Sequence, residues 1–208
     1  GFRASNMDLS KYDYSRRVVA TVMRRVSQRM DLAIANSNAG KAHAVSQGYN
    51  AAQFLVVPNG IDINTFHHDA DIGLAVRRKW GVLDNVPLIG IVARLDRKKD
   101  HSTFLAAAAG LSIRHPTVRF VCIGEGSPER EAQLRDEAHE LGITEKVIWA
   151  GGRTDMAAVY NALDINTLAS RFGEGFPNAI GEAMAVGVPC VVTDCGDAAL
   201  IVDTTGVV

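Results

Sequence analysis

The sequence of 208 residues lacks several features that mark particular classes of protein. Its 3 cysteines are an odd number without zinc-ligand spacing, which argues against a disulfide framework or a zinc site and favours a reducing compartment. Cys122 and Cys190 lie in apolar runs, so we expect them to be small core residues. The net charge of −1 lacks the basic excess of nucleic-acid-binding proteins, and we expect no nucleic-acid partner.

Long apolar segments are missing as well. No apolar run approaches the roughly 20 residues of a membrane-spanning helix, and no signal peptide opens the sequence. These absences predict a cytoplasmic protein. The sequence starts without methionine and stops shortly after a strand-like run, which predicts a fragment of a longer protein.

Short apolar runs alternate with longer helical patterns from residue 32 onwards. The runs are rich in valine and isoleucine and lack strict alternation, which is typical of strands covered on both faces. The predicted strands are LAIAN, FLVVP, LIGIVA, VRFVCIG, KVIWAG, DINTLA and CVVTD, and the predicted helices include 101–114, 129–141 and 177–186. This order predicts an α/β fold with a doubly wound parallel sheet.

Residues 12–30 have the pattern of an amphipathic helix. Its apolar members share an arc of about 140°: they are Val18, Val19, Val22, Met23, Val26 and Met30. With five arginines, the helix suits peripheral contact with the inner face of a membrane. A stripe packed into a core is the interpretation we prefer. Pro58 and the following Asn-Gly indicate a turn, and we predict two domains, 1–55 and 56–208.

Five successive predicted strands end in glycines or cations. Ligands bind beyond the carboxyl ends of the strands in open parallel sheets, so these residues are candidates for a binding site. They are Arg94 and Arg97–Lys99 after the LIGIVA strand, Gly124–Gly126 after VRFVCI, Gly151–Arg153 after KVIWA, Ser170 after DINTLA, and Cys195 with Gly196 after CVVTD.

Two of these strand ends suit a phosphate ligand in different ways. Arg94 and Lys99 would lie at a helix start, where cations are disfavoured unless an anion such as a diphosphate offsets them. Solvated surface charges are the alternative. The run IGEGSPE has two glycines of a dinucleotide fingerprint, but Glu129 replaces the third, so a tight turn explains it equally well. No GxxxxGK[ST] motif is present, which argues against a P-loop enzyme.

The stretch SRFGEGFPNAIGEAMAVGVP is the most specific of these segments. Its second half predicts a helix, and the turn 175–178 would present backbone N–H groups at the positive helix end, where phosphate binds. Glu174 and Glu182, eight residues apart, could accept hydrogen bonds from sugar hydroxyls on either side. Helix-dipole complementarity or a hydrolytic carboxylate pair are the alternatives. A nucleotide-diphosphate sugar fits this arrangement best.

Five segments of the sequence closely resemble one family, the retaining glycosyltransferases of family four, or group one. The segments are VPNGID, ARLDRKKD, IGEGSP, WAGG and EGFPNAIGEAMAVGVPCVVTD. The Glu-x7-Glu motif, here Glu174 and Glu182, is the signature of that family. The resemblance implies the Rossmann-like, B-type glycosyltransferase fold. It also implies that the chain holds the tail of an acceptor-side domain followed by a truncated donor-binding domain.

The resemblance also implies roles for individual residues. Arg94 and Lys99 would contact the diphosphate, although KKD replaces the more frequent Lys-Gly, and Glu174 would hold the transferred sugar; these three are the expected catalytic residues. Glu182 would hold the ribose hydroxyls. Further donor contacts would come from the turn, the glycine loop and one arginine: Gly175, Phe176, Pro177, Asn178, Ala179, Gly124, Gly126 and Arg153.

The activity implied by the family is transfer of a sugar from a UDP- or GDP-linked donor with retention of configuration, in polysaccharide biosynthesis. We expect neither a cofactor nor a metal. The sugar or lipid-linked acceptor would bind through an absent N-terminal half, so we expect the chain alone to be weakly active or inactive. A nucleotide-sugar epimerase, a non-catalytic nucleotide-binding module and a dinucleotide-dependent reductase are the alternatives, and Glu129 argues against the last.

Overall fold

The computed structural model describes residues 14–27 and 29–208, with the side chains of residues 14–18, 20 and 21 left undescribed. The chain forms two compact units. The first unit contains the described residues up to Gly60, together with Phe172–Pro177 and Asp194–Leu200. The second contains Ile61–Arg171, Asn178–Thr193 and Ile201–Val208.

The first unit is built around a pair of short parallel strands. Its elements are α1 Tyr14–Ser27, β1 Ala33–Ala35, α2 Asn38–Ser46, a 3₁₀ turn Ala51–Gln53 and β2 Phe54–Val56. Strand β1 pairs with β2, which places Ala33 opposite Phe54. A small core of Ala35, Ala44 and Phe54 lies between the strands and α2, with Tyr49 against it. The predicted boundary near residue 55 thus falls inside β2, while the role assigned to each domain stays a prediction.

Helix α1 carries the apolar stripe anticipated from the sequence, but the stripe is not buried. The described residues of the predicted stripe are 39–60% exposed: Val19, Val22, Met23 and Val26 in α1, and Met30 after its end. The preferred interpretation, a stripe packed into a core, is therefore wrong for these residues. Positions 12, 13 and 28 of the predicted helix and the side chain of Val18 lie outside the described residues. In the part of the chain that is described, no helix combines the length and apolarity needed to cross a membrane.

The second unit alternates helices and strands around one parallel sheet. Its elements are α3 Ala70–Lys79, β3 Leu88–Val92, a 3₁₀ turn Arg97–Lys99, α4 His101–Arg114, β4 Arg119–Ile123, α5 Pro128–Glu140, a 3₁₀ turn Thr144–Lys146, β5 Val147–Gly151, α6 Met156–Ala162, β6 Ile165–Leu168, α7 Asn178–Ala185 and β7 Cys190–Val192. Helix α8, Ala198–Val202, runs from one unit into the other. The strand order is β5-β4-β3-β6-β7.

This order confirms the predicted doubly wound sheet. The chain adds β4 and β5 on one side of β3, then returns to add β6 and β7 on the other side, so the topology switches between β3 and β6. Each of the seven predicted segments contains a strand. Helix α4 has the predicted bounds, whereas α2, α3 and α6 were not located from the sequence.

The core of the second unit explains why its strands read as continuous apolar runs. Residues 88–91 of β3 and 120–123 of β4 are buried, because helices cover both faces of the sheet. The rings of Phe104 on α4 and Phe120 on β4 meet edge to face at 6.0 Å. Cys122 and Cys190 are buried free thiols, as predicted. Burial raises the pKa of the Cys122 thiol, which keeps it protonated and unreactive.

Two helical glycines offer a matched test of helix packing. A Cβ at Gly73 in α3 would come within 2.2 Å of the Asn161 carbonyl oxygen in α6, whereas a Cβ at Gly110 in α4 would meet nothing within 4 Å. We expect Gly73→Ala to lower the free energy of unfolding by about 1–3 kcal/mol through steric overlap. Gly110→Ala should raise it by about 0.5–1 kcal/mol through helix propensity. Urea titration measures both, and stabilisation by Gly73→Ala would contradict the packing.

His101 at the start of α4 predicts a loss of stability in acid. Its side chain is fully buried, and neither ring nitrogen has a hydrogen-bond partner among the described residues. Burial, assisted by the nearby Arg130, lowers the pKa of His101 to about 4. An unfolded histidine titrates near about 6.5, so protons favour the unfolded chain as the pH falls from 6.5 to 4.

We therefore expect His101 to lower the free energy of unfolding by about 2 kcal/mol between pH 7 and pH 5. His101→Gln should remove this part of the pH dependence, and His139→Gln, at an exposed position, should retain it. Urea titrations at the two pH values measure the difference. Equal pH slopes for His101→Gln and the parent chain would show that His101 is not the responsible group.

Candidate functional site

Backbone hydrogen bonds join the loops at the carboxyl edge of the five-stranded sheet. The Gly124 N–H donates to the Gly151 carbonyl at 2.9 Å, which links the loops after β4 and β5. The Leu95 N–H donates to the Glu125 carbonyl at 2.8 Å, which links the loops after β3 and β4. The Arg171 N–H donates to the Lys98 carbonyl at 2.9 Å, across the switch between β3 and β6. The ends of four strands therefore form one continuous edge.

The loop after β3 carries the predicted diphosphate contacts. Arg94 is 72% exposed and its guanidinium lies 3.0 Å from the Asp96 carboxylate. Asp96 also caps the 3₁₀ turn through the Lys99 N–H at 3.2 Å, which fixes the backbone at Lys99. Asp100 adopts a left-handed conformation with φ of 49° and caps α4 through the Thr103 N–H. Two carboxylates thus order a loop whose other side chains are mainly cationic.

The glycines of the loop after β4 let two backbones approach closely. Gly124 has a φ of 144°, and a Cβ there would come within 2.0 Å of the Ala93 carbonyl oxygen. A Cβ at Gly126 would come within 2.6 Å of the Leu95 Cβ. Beside this contact lies an open cleft of about 460 Å³, and its polar lining includes Arg94, Arg97, Glu125, Ser127, Glu129 and Arg130. The tight turn between the loops accounts for both glycines without a ligand.

Arg153, in the loop after β5, is engaged within the second unit. Its guanidinium donates to the Asp155 carboxylate at 2.8 and 2.5 Å and lies over the Trp80 ring, 5.9 Å from the centroid. The hydrogen bond from Arg153 lowers the pKa of Asp155. A contact between Arg153 and a nucleotide would therefore compete with Asp155.

Helix α7 presents its N-terminus at the same edge, because it follows β6. It begins at Asn178, directly after Pro177, which suits the start of a helix. The fully buried Asn166 on β6 donates from Nδ2 to the Ala179 carbonyl at 3.3 Å, which holds the first turn of α7 on the sheet. Glu182, one turn further along, accepts a hydrogen bond at 2.8 Å from the Tyr160 hydroxyl on α6.

Glu174 lies in the first unit, with Gly175, Phe176 and Pro177. It is 7% exposed, and its backbone passes close to Gly196, where a Cβ would lie 2.8 Å from the Glu174 Cβ. The Asp197 N–H donates to the Gly175 carbonyl at 3.0 Å, and the Asp197 carboxylate caps α2 through the Ala39 N–H at 2.8 Å.

The predicted site residues consequently fall into two groups. The second unit contains Arg94, Lys99, Gly124, Gly126, Arg153, Asn178, Ala179 and Glu182, and the first unit contains Glu174, Gly175, Phe176 and Pro177. Among residues 14–27 and 29–208, no three His, Cys, Asp or Glu side chains lie close enough together to hold a metal ion.

Three residues that support this edge were not anticipated from the sequence. They are Asn166, Tyr160 and Arg171, whose side chain lies 3.5 Å from the Asp100 carboxylate. The sequence carries a signal for two of these residues. Asn166 is an asparagine within an apolar strand, and Arg171 directly follows Ser170 at the end of a predicted strand. Nothing in the local sequence connects Tyr160 with Glu182.

Curated relatives of this chain are named as glycosyltransferases and as a polysaccharide biosynthesis protein. The chain is 32% identical over 190 residues to the D-inositol 3-phosphate glycosyltransferase of Corynebacterium jeikeium, covering 86% of this chain and 45% of that protein. It is 31% identical to the Vi polysaccharide biosynthesis protein VipC/TviE of Salmonella typhi, covering 76% of this chain and 28% of that protein. The chain thus spans less than half the length of these two relatives.

Solved structures show the same fold. HepE of Anabaena, crystallised with UDP-glucose, is 26% identical with a TM-score of 0.79, covering 88% of this chain and 50% of that one. HepE with UDP is 25% identical with a TM-score of 0.82, covering 94% of this chain and 53% of that one. These neighbours confirm the predicted Rossmann-like half of a B-type glycosyltransferase fold.

The family itself is assigned by a sequence model that covers more than half of the chain. The model described as "Glycosyl transferases group 1" matches residues 86–208, which include β3 and every later element of the sheet. The chain therefore belongs to the group 1 glycosyltransferases.

Proposed function

We propose that this chain is the donor-binding part of a retaining glycosyltransferase that takes its sugar from a nucleotide diphosphate. The observation that carries the proposal is the Arg171–Lys98 backbone hydrogen bond across the topological switch, 2.9 Å long. Within the second unit it fixes the cationic loop after β3 against Arg171, three residues beyond the end of β6. Ligands of open α/β sheets bind at such a switch point.

A diphosphate would be held by two sources of positive potential in the second unit. One is the pair Arg94 and Lys99, and the other is the N-terminus of α7, whose peptide dipoles favour an anion. A charge-assisted hydrogen bond contributes about 1.5–3 kcal/mol. The exposed Arg94–Asp96 pair contributes at most about 1 kcal/mol. Arg94 can therefore leave Asp96 for a phosphate with a net gain.

The same groups would assist the chemical step. Cleavage of the anomeric bond leaves negative charge on the nucleotide diphosphate, and preorganised cations stabilise that charge as it develops. This stabilisation needs no divalent ion. A donor phosphate oxygen would accept the proton of the acceptor hydroxyl on the same face of the sugar, which gives retention of configuration. The role of Glu174 towards the transferred sugar stays a prediction.

The comparisons support a UDP- or GDP-linked donor. HepE has been crystallised with UDP-glucose and with UDP, and a relative from Mycobacterium tuberculosis is named as a GDP-mannose-dependent mannosyltransferase. The sugar or lipid-linked acceptor would bind to residues beyond this chain, so transfer would require the complete protein.

Titration calorimetry with UDP and uridine tests the diphosphate site. We expect Arg94→Ala to weaken UDP binding about tenfold or more, because one charge-assisted hydrogen bond is lost. Uridine binding should not change. Arg114→Ala makes the same charge change at the far end of α4 and should leave both affinities unchanged. Equal losses for UDP and uridine in Arg94→Ala would refute the role of Arg94.

Chelation tests the proposed independence from metal. We expect the affinity for UDP to be the same before and after dialysis against EDTA. If GDP binds more tightly than UDP, we expect the same of the affinity for GDP. The positive potential comes from side chains and helix dipoles, which a chelator does not remove. A loss of affinity that magnesium restores would contradict the proposal.

The stereochemistry of transfer tests the retaining mechanism in the complete protein. With an α-linked UDP- or GDP-sugar, we expect the first product formed to be the α-anomer. Proton NMR of the anomeric signal during early turnover distinguishes it from the β-anomer, because the coupling constants differ. An initial β-product would contradict retention while leaving the diphosphate site intact.

A further inference from the structure

The hydrogen bond from Tyr160 to Glu182 has the geometry expected of a residue that orients a carboxylate for ligand binding. Tyr160 is fully buried on α6, and its hydroxyl donates to Glu182 Oε2 at 2.8 Å. Its ring also meets the Phe66 ring edge to face at 6.1 Å, which fixes the ring from another side. Burial and the neighbouring carboxylate raise the pKa of Tyr160, so the hydroxyl remains a donor throughout the physiological range.

Glu182 is the partner that needs such support. Its side chain is half-buried, and within the described part of the chain Tyr160 is its hydrogen-bond donor. A glutamate has three side-chain torsions, and fixing them costs up to about 2 kcal/mol of conformational entropy. Tyr160 occupies one carboxylate oxygen before any ligand arrives. The other oxygen, Oε1, is thereby held in one orientation and can accept from a ligand.

We propose that Tyr160 is a positioning residue for ligand hydroxyls: it holds Glu182 so that Oε1 accepts from the ribose of the nucleotide. The inference rests on the proposed function, because it requires a bound nucleotide, and the ribose role of Glu182 is the one that the family resemblance implies. Tyr160 itself does not touch the ligand. Preorganisation of this kind increases affinity because less freedom is lost on binding.

The alternative is that Tyr160 is only a buried tyrosine that uses Glu182 to satisfy its hydroxyl. In that case Tyr160→Phe would lower stability but would not change which ligands bind. The positioning role instead predicts an effect that depends on ribose hydroxyls and on Glu182. UDP and 2′,3′-dideoxyuridine diphosphate differ only in those hydroxyls, so they separate the two interpretations.

The experiment is a double-mutant cycle followed by titration calorimetry with both ligands. We expect Tyr160→Phe to weaken UDP about fivefold, from the cost of fixing the glutamate, and to leave the dideoxy ligand unchanged. Glu182→Ala should abolish the preference for UDP. Adding Tyr160→Phe to Glu182→Ala should have no further effect. Tyr49→Phe, in the other unit, is the matched control and should bind as the parent chain does.

The outcomes separate failure of the positioning role from failure of the ribose role of Glu182, and the Arg94→Ala experiment tests the proposed diphosphate site separately. If Glu182→Ala removes the preference for UDP and Tyr160→Phe does not, the positioning role is wrong and the ribose role of Glu182 stands. If Glu182→Ala retains the preference, the ribose role fails and the positioning role fails with it. Equal weakening of both ligands by Tyr160→Phe would also overturn the inference.

A second measurement applies if Tyr160→Phe does not fold. The parent chain is labelled with [¹³Cζ]tyrosine. Its Tyr160 signal is assigned by comparison with the labelled Glu182→Ala variant, in which that signal moves. We expect UDP to move this signal, because ribose hydroxyls that donate to Oε1 weaken the bond accepted by Oε2. The dideoxy ligand should leave the signal in place. Identical shifts with both ligands would overturn the positioning role.

Discussion

The pairing of β3 with β6 is the contact on which the arrangement of the second unit depends. It sets Gly90 opposite Asn166 and Ile91 opposite Thr167. The Thr167 hydroxyl adds a hydrogen bond to the Gly90 carbonyl at 2.9 Å. A Cβ at Gly90 would come within 2.7 Å of the terminal methyl groups of Leu163, which therefore pack directly over the glycine. By joining the first strand of this sheet to its fourth, the pair places two loops from distant parts of the sequence at one edge.

The electrostatics of that edge follow from the same topology. Cations gather at the start of α4, where the helix dipole disfavours them. Asp96 pairs with Arg94, and Asp100 caps α4 and lies 3.5 Å from Arg171. Each carboxylate thus offsets a cation locally while ordering the loop. An ion pair with an exposed arginine is weak, so under the proposed function a phosphate would replace Asp96 as the partner of Arg94 at small cost, while the capped backbone stays in place.

The sequence predicted the sheet well because its signals are local. Apolar runs of valine and isoleucine, such as the run around Ile89 and Ile91, mark strands covered on both faces, and glycines and cations mark their ends. Contacts between distant segments were not predictable in this way. Tyr160 and Glu182 are 22 residues apart, and no spacing rule connects an interior tyrosine with a glutamate on another helix. For α1 the apolar stripe was located correctly but its burial was not. Periodicity identifies the apolar face of a helix but not what covers that face.

The two glutamates of the signature motif depend on different supports, although eight residues separate them. Glu174 lies on a loop whose backbone requires the absence of a side chain at Gly196, and Asp197 ties that loop to α2 through Gly175. Glu182 lies on a regular helix and accepts a hydrogen bond from the buried Tyr160 hydroxyl. A change at Gly196 therefore displaces backbone, whereas a change at Tyr160 releases one carboxylate. The motif is short in sequence, but each acid depends on residues outside it.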